Sequence, residues 1–287
     1  MTIRARVAAL QMVSGADLDA NLDSAARLLR RAARDGAELA VLPEMFALFG
    51  VPPATQTALG RAERDPEGRV RRFLHDQARA LGLWLVGGTL PIAAPQAAGR
   101  SHAACLVVDP AGQLRGRYDK LHLFDVEVAD GQGQYRESDT FAAGDLPAAG
   151  PATVNTPLGR LGLAVCYDIR FPELFGALAR RGADLYAVPA AFTRVTGNAH
   201  WLPLLRARAI ETQSLVIGAN QGGIHSTTRQ TSGGSVIIDA WGRVLAEAGY
   251  GETCLVATVD MGEQQRIRRS MPVAAHRRQS LTSDARR

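Results

Sequence analysis

Short runs that are apolar at nearly every position alternate along this chain with longer stretches whose apolar residues fall at helical spacing. Residues 6–12 read as a strand that is mostly apolar on both faces. Residues 17–35 follow as an amphipathic helix, with Leu18, Leu22, Ala25, Leu28, Leu29 and Ala32 on one side and Gly36 as its stop. Residues 38–42 form a second buried strand. A loop with Pro52 and Pro53 leads to a helix over 65–81, carrying Val70, Phe73, Leu74, Ala78 and Leu81, and then to a third strand at 83–88. Strands of this kind need cover on both faces, and the helices between them supply it. The alternation predicts α/β architecture.

The second half repeats the rhythm. A strand at 160–165, a helix at about 172–181, a strand at 184–188, a helix at 198–211 and a strand at 214–220 follow one another. Hairpins are predicted around Asp109–Gly112, Thr156–Gly159 and Ala240–Gly242. The last strand is placed at 254–259. No linker-like stretch or short-period repeat interrupts the chain. We therefore expect one domain over 1–287, with two sheets and the helices outside. Residues 263–287 are expected as a basic C-terminal helix and extended tail. The stretch 125–150 is polar and long for a structureless connection, which marks it as functional.

Composition narrows the function classes. The 287 residues are 46% hydrophobic and 21% charged, an ordinary globular balance. No apolar run approaches the ~20 residues that span a bilayer, so no membrane role is expected. The N-terminus enters a strand at once, without an apolar signal region. Three cysteines, Cys105, Cys166 and Cys254, lie outside CxxC or metal-ligand spacing. A cytoplasmic protein with no metal and no cofactor is the natural reading. The net charge of +5 sits partly in the C-terminal arginines, with no aromatic-and-basic stripe, so nucleic acid is not expected as a partner. Of the 33 basic residues all but one are arginine, and the exception is Lys120. A position that stays lysine needs a compact, tunable charge rather than a wide fork, or it is a chance survivor.

Three chemistry-bearing residues share a position type. Glu44 follows the strand at 38–42, Lys120 the strand at 114–118, and Cys166 the strand at 160–165. Ligands in α/β sheets gather at the carboxyl ends of strands. A thiol between a strand and a helix is either a small buried hydrophobe or an activated nucleophile. A carboxylate and an ammonium beside it would serve as general base and as stabiliser of developing negative charge.

At these residues the sequence resembles the carbon–nitrogen hydrolases of the nitrilase superfamily. Leu42-Pro43-Glu44 matches their glutamate segment. Tyr118-Asp119-Lys120-Leu121-His122-Leu123-Phe124 matches their lysine segment, and Cys166-Tyr167-Asp168-Ile169-Arg170-Phe171-Pro172-Glu173 their cysteine segment. The resemblance extends from the first strand to His276-Arg277-Arg278. It implies a four-layer α-β-β-α sandwich and a thioester mechanism with Glu44, Lys120 and Cys166 as the catalytic residues. Gln134-Tyr135-Arg136-Glu137-Ser138 matches a segment whose glutamate positions the substrate amide. Tyr167 is expected to lend its backbone N–H, and Phe192, His200 and Trp201 to line the pocket. Asp168 and Arg170 are expected to pair as a brace of the turn, with Glu173 beside them. Arg206 and Arg208 either bind a substrate carboxylate or solvate their helix. The segments 190–201, 206–213, 239–242 and 272–278 look most like the deaminated glutathione amidase group, with the ω-amidases as the alternative. Both imply a small anionic amide as substrate, and the family implies a homodimer or higher homo-oligomer. An inactive scaffold of the same fold, or an adaptor built on the basic tail, is the competing class.

Overall fold

The computed structural model describes residues 4–97, 99–128 and 134–278. The apolar strands assemble into two mixed sheets. The first runs in the order Thr253–Asp260, Arg4–Gln11, Leu39–Val41, Trp84–Val86, Ser101–Val108, Leu90–Ala93, with Leu114–Asp119 also paired to Ser101–Val108. The second runs Val244–Glu247, Val236–Ile238, Leu215–Asn220, Leu185–Ala190, Gly159–Leu163, Thr153–Thr156. Each sheet has three adjacent parallel strands at its centre and antiparallel strands outside them. This is the repeated rhythm of the two halves expressed as structure.

Alternation along each strand sorts the side chains into layers. Val7, Ala9, Leu39, Val41 and Val86 point between the sheets, where they meet Leu161, Leu163, Ala187 and Ile217. Ala8, Leu10, Ala40, Leu42 and Leu85 point the other way, against Leu22, Ala25 and Leu29 of the helix Leu18–Arg34 and Val70, Leu74 and Ala78 of the helix Arg69–Leu81. Leu174, Phe175 and Leu178 of Pro172–Arg180, and Leu205 and Ala209 of Leu202–Thr212, cover the second sheet. The result is the expected α-β-β-α sandwich. Burial at about 25 cal/mol per Å² of apolar surface makes the three apolar interfaces the main stabilising force.

Local differences from the sequence reading have local causes. Residues 65–68 close a turn instead of opening the helix, because the Asp65 carboxylate accepts the Glu67 N–H at 2.9 Å. The helix Arg69–Leu81 is then capped by the buried Glu63, which accepts from the N–H groups of Val70 at 2.9 Å and Arg71 at 3.0 Å. The segment after Pro52 is helical over Pro53–Ala62, with proline in the first turn, where its missing N–H costs nothing. It buries Gln56 and Gly60 rather than an apolar stripe, so periodicity does not reveal it. The stretch 125–150 carries a small ribbon, Asp125–Glu127 with Gln134–Arg136, and a single turn Glu137–Asp139. At the C-terminus a helix forms over Met261–Ser270, followed by Val273–His276. The remainder of the expected tail, 279–287, lies outside the described residues.

Candidate active site

Glu44 leaves the first sheet where backbone packs on backbone. Leu42 still donates into the sheet, to the Val86 carbonyl at 2.9 Å, and Met45 turns away with φ of 57°. Gly88, at φ of 55°, faces this turn. A Cβ there would stand 2.1 Å from the Pro43 carbonyl oxygen, so only glycine fits. Thr89 Oγ1 accepts the Met45 N–H at 2.9 Å, and Gln221, from the end of a second-sheet strand, donates to the Glu44 carbonyl at 3.0 Å.

Lys120 follows Leu114–Asp119 and keeps the pairing for one more residue, donating to the Ala103 carbonyl at 3.1 Å. Its ammonium lies 2.8 Å from Glu44 Oε1 and 2.8 Å from each carboxylate oxygen of Glu137. The lysine side chain is 2% exposed, and those of Glu44 and Glu137 are 6% and 13% exposed. Glu137 Oε2 also accepts the Phe124 N–H at 2.7 Å, which ties the polar loop to the site. Bringing three charges out of water is costly unless they satisfy one another. A compact ammonium with three donors fits between two carboxylates, whereas a planar five-donor guanidinium demands a wider space.

Cys166 leaves the second sheet just beyond Gly159–Leu163, at φ of 48°, an uncommon backbone region for a residue with a side chain. Its thiol lies within interaction range of the Glu44 carboxylate and the Ala191 backbone. Burial, and then the charge of Glu44, push the thiol well above its ordinary value, against the pull of Lys120. Burial works to lower Lys120, but the charges of Glu137 and Glu44 overrule it and hold the ammonium well above the lysine range. Glu137 is raised by burial and by Glu44, with Lys120 opposing. The resting arrangement is a protonated thiol beside a carboxylate acceptor and a fixed cation.

These residues open on a cavity of about 600 Å³, which Tyr167 and Phe192 also line. Other expected members sit elsewhere. Arg170 does not pair with Asp168. Residues two apart in this tight turn point in different directions, and Arg170 instead reaches His200 Nδ1 at 3.3 Å and stacks over the rings of Tyr167 and Phe192. Asp168 is fully buried and accepts from Val165 N at 2.8 Å, Tyr118 Oη at 2.6 Å, and His122 N and Nδ1 at 3.1 and 2.6 Å. Glu173 is exposed in the first turn of Pro172–Arg180, where an acid suits the helix dipole. His200 and Trp201 do not line the cavity; Trp201 packs on Phe192 at 4.9 Å.

Neither candidate carboxylate-binding arginine reaches the cavity. Arg208 donates to the Ile169 carbonyl at 3.0 and 2.6 Å, bracing the turn after Cys166, and Arg206 donates to the Gly242 carbonyl at 3.1 Å. Among the described residues, the arginines that line the cavity are Arg136 and Arg229. Both come from short ribbons that carry little periodicity, so only the charge itself marks them in the sequence. Among the described residues no three His, Cys, Asp or Glu side chains converge as metal ligands.

Residues 6–269 match the carbon–nitrogen hydrolase family. The chain belongs to the carbon–nitrogen hydrolases. Among its relatives in this family, a deaminated glutathione amidase of Yersinia enterocolitica is 39% identical over 275 residues, covering 96% of this chain and 93% of that one. The nitrilase and fragile histidine triad fusion protein NitFhit of Caenorhabditis elegans superposes with a TM-score of 0.88 at 38% identity. That match covers 98% of this chain, which spans 66% of the NitFhit chain. A mutant amidase of Nesterenkonia sp. AN1, carrying acrylamide on its active-site cysteine, superposes with a TM-score of 0.74 at 30% identity, over 94% of this chain and 99% of that one. The carbon–nitrogen hydrolase fold thus carries the buried Glu44–Lys120–Glu137 group beside Cys166.

Proposed function

We propose that this hydrolase cleaves the amide of deaminated glutathione, releasing α-ketoglutarate and cysteinylglycine through a thioester on Cys166. The observation that carries the reading is the buried Lys120 ammonium held 2.8 Å from two carboxylates beside a thiol that opens on the cavity. Glu44 takes the thiol proton as the sulfur attacks the carbonyl carbon. The oxyanion is held by the Lys120 ammonium and the Tyr167 N–H, while Glu137 positions the substrate amide. The C–N bond breaks as Glu44 returns the proton to the departing amine. Water, deprotonated by Glu44, then attacks the thioester, and the acid and the thiol are regenerated. Phe192 closes the acyl side of the cavity. Asp168, Arg170 and Glu173 belong to the support of the turn rather than to the chemistry.

The alternative within the same chemistry is an ω-amidase that converts α-ketoglutaramate to α-ketoglutarate and ammonia. Offering the two substrates separately, to wild type and to Cys166→Ala, tests both readings. Release of α-ketoglutarate without ammonia from deaminated glutathione, at the higher kcat/KM, supports the first. Equal turnover by the alanine variant overturns the mechanism.

We further read residues 1–287 as a single hydrolase domain that works in the cytoplasm as a homodimer or higher homo-oligomer. Free Cys105, Cys166 and Cys254 suit a reducing compartment. The exposed apolar side chains of Ile210, Trp241, Val244 and Leu245 suit a subunit contact. Among the described residues no helix is long and apolar enough to cross a membrane. Sedimentation of the purified protein across a concentration series checks the assembly.

A further inference from the structure

The cavity is larger than the chemistry needs, and its polar groups are not spread evenly. One group surrounds Cys166. A second is reached along a ladder of rings. Tyr167, next to the thiol, meets Phe124 at 5.1 Å; Phe124 meets Tyr135 at 5.4 Å; and the Arg229 guanidinium stacks on Tyr135 at 4.4 Å. Among the described residues Arg229 has a stacking partner but no ion pair. Its ribbon, Ile224–Ser226 with Arg229–Gln230, is fixed in place. His225 bonds the Ser14 carbonyl at 2.6 Å and Thr231 Oγ1 at 2.7 Å, and its ring packs on Phe49 at 4.5 Å.

That last contact joins the ribbon to the segment that carries Gln56. Gln56 also lines the cavity and is 4% exposed. Its Nε2 donates to the Leu48 carbonyl at 2.8 Å, which fixes which end of the amide is which. Its Oε1 is buried and has no donor among the described residues. A buried acceptor without a donor is costly, and a ligand N–H removes the cost.

We propose that Arg229 and Gln56 form a leaving-group subsite that reads a peptide: Arg229 binds its terminal carboxylate and Gln56 accepts its amide N–H. This rests on the amidase reading above and gives it a specificity. An amine that continues into a further amide and a carboxylate uses both groups, whereas ammonia uses neither. A two-residue leaving group spans roughly 7 Å when extended, which carries its terminal carboxylate away from the thiol.

The test compares two substrates in three enzymes. For Arg229→Gln, kcat/KM for deaminated glutathione is expected to fall about 10–100-fold, mainly through KM, as for loss of a charge-assisted contact. The loss on α-ketoglutaramate is expected to be at least about tenfold smaller. Gln56→Met is expected to fall about 3–10-fold on the peptide substrate, again more than on α-ketoglutaramate. Deaminated glutathione carrying a C-terminal carboxamide supplies the complementary change. Wild type is expected to handle it as poorly as Arg229→Gln handles the acid, with little further loss in the variant. An unchanged ratio between the two substrates in Arg229→Gln overturns the subsite, as does a wild type that cannot tell the carboxamide from the acid. Wild type that turns over only α-ketoglutaramate also overturns it, while leaving amide hydrolysis intact. Wild type that hydrolyses neither overturns the amidase reading itself.

Discussion

Two buried polar clusters flank Cys166, and they are built on opposite principles. Asp168 sits in the turn with its oxygens taken by N–H and O–H donors from Val165, Tyr118 and His122. Every partner complements it. The Lys120 cluster forces two carboxylates to share one cation, and both a carboxyl and a thiol there are pushed up by burial and by like charge. A saturated cluster holds a backbone still. A crowded, like-charged one beside a thiol stores a readiness to move protons. The comparison separates the residues that keep the turn in shape from those proposed to react on it.

The largest effect expected on this comparison is that of Cys166→Ala. Its kcat is expected to drop by about 10⁴-fold or more in a discontinuous product assay, with the melting temperature little changed, since alanine keeps the same backbone and removes only a single buried sulfur. Lys120→Met is expected to cost about 10²–10³ in kcat, as for loss of an oxyanion donor. Asp168→Asn inverts the pattern. Replacing an oxygen by an amide N–H₂ sets donor against donor, and about 2–4 kcal/mol of stability is expected to go, read by denaturant melts. If Asp168→Asn proves as stable as wild type, the contrast between the clusters fails.

The smallest effects lie in pH profiles. The raised Glu137 takes up a proton above the ordinary 4.5 of a glutamate, so Lys120 loses a partner on the acid side and kcat/KM is expected to begin falling above that value. In Glu137→Gln the acid limb is expected at lower pH. The alkaline side follows from Lys120. Its folded-state value is raised, so its contribution to stability is complete below 10.5 and fades only as pH climbs through the higher folded value. The melting temperature of wild type relative to Lys120→Met is therefore expected to hold steady up to about pH 10 and converge above it.

The sequence makes one cluster legible and hides the other. Glu44, Lys120 and Cys166 each sit just past a strand, and strands buried on both faces are the strongest signal in the chain. Glu137 is reachable only through its motif, because the loop that delivers it has no period. Nearness in sequence suggests an Asp168–Arg170 ion pair, but the tight turn directs the two side chains apart. Gln56 and Arg229 are invisible for another reason. The helix Pro53–Ala62 buries polar residues against the cavity, and the ribbon at 224–230 is too short to pattern. Burial of polar groups is what a binding surface requires, and it erases the pattern by which helices and strands are read.

One further consequence attaches to the solitary lysine. A protease that cuts only after lysine has a single target in this molecule, and that peptide bond adjoins a side chain 2% exposed and ion-paired on two sides. Cleavage therefore demands that the junction around Lys120 come apart, and it yields just two fragments, 1–120 and 121–287. When opening is fast relative to cutting, the rate of appearance of those fragments measures the free energy of opening the candidate active site. The amino acid that marks the chemistry thus doubles as a gauge of local opening, readable on a gel without a label.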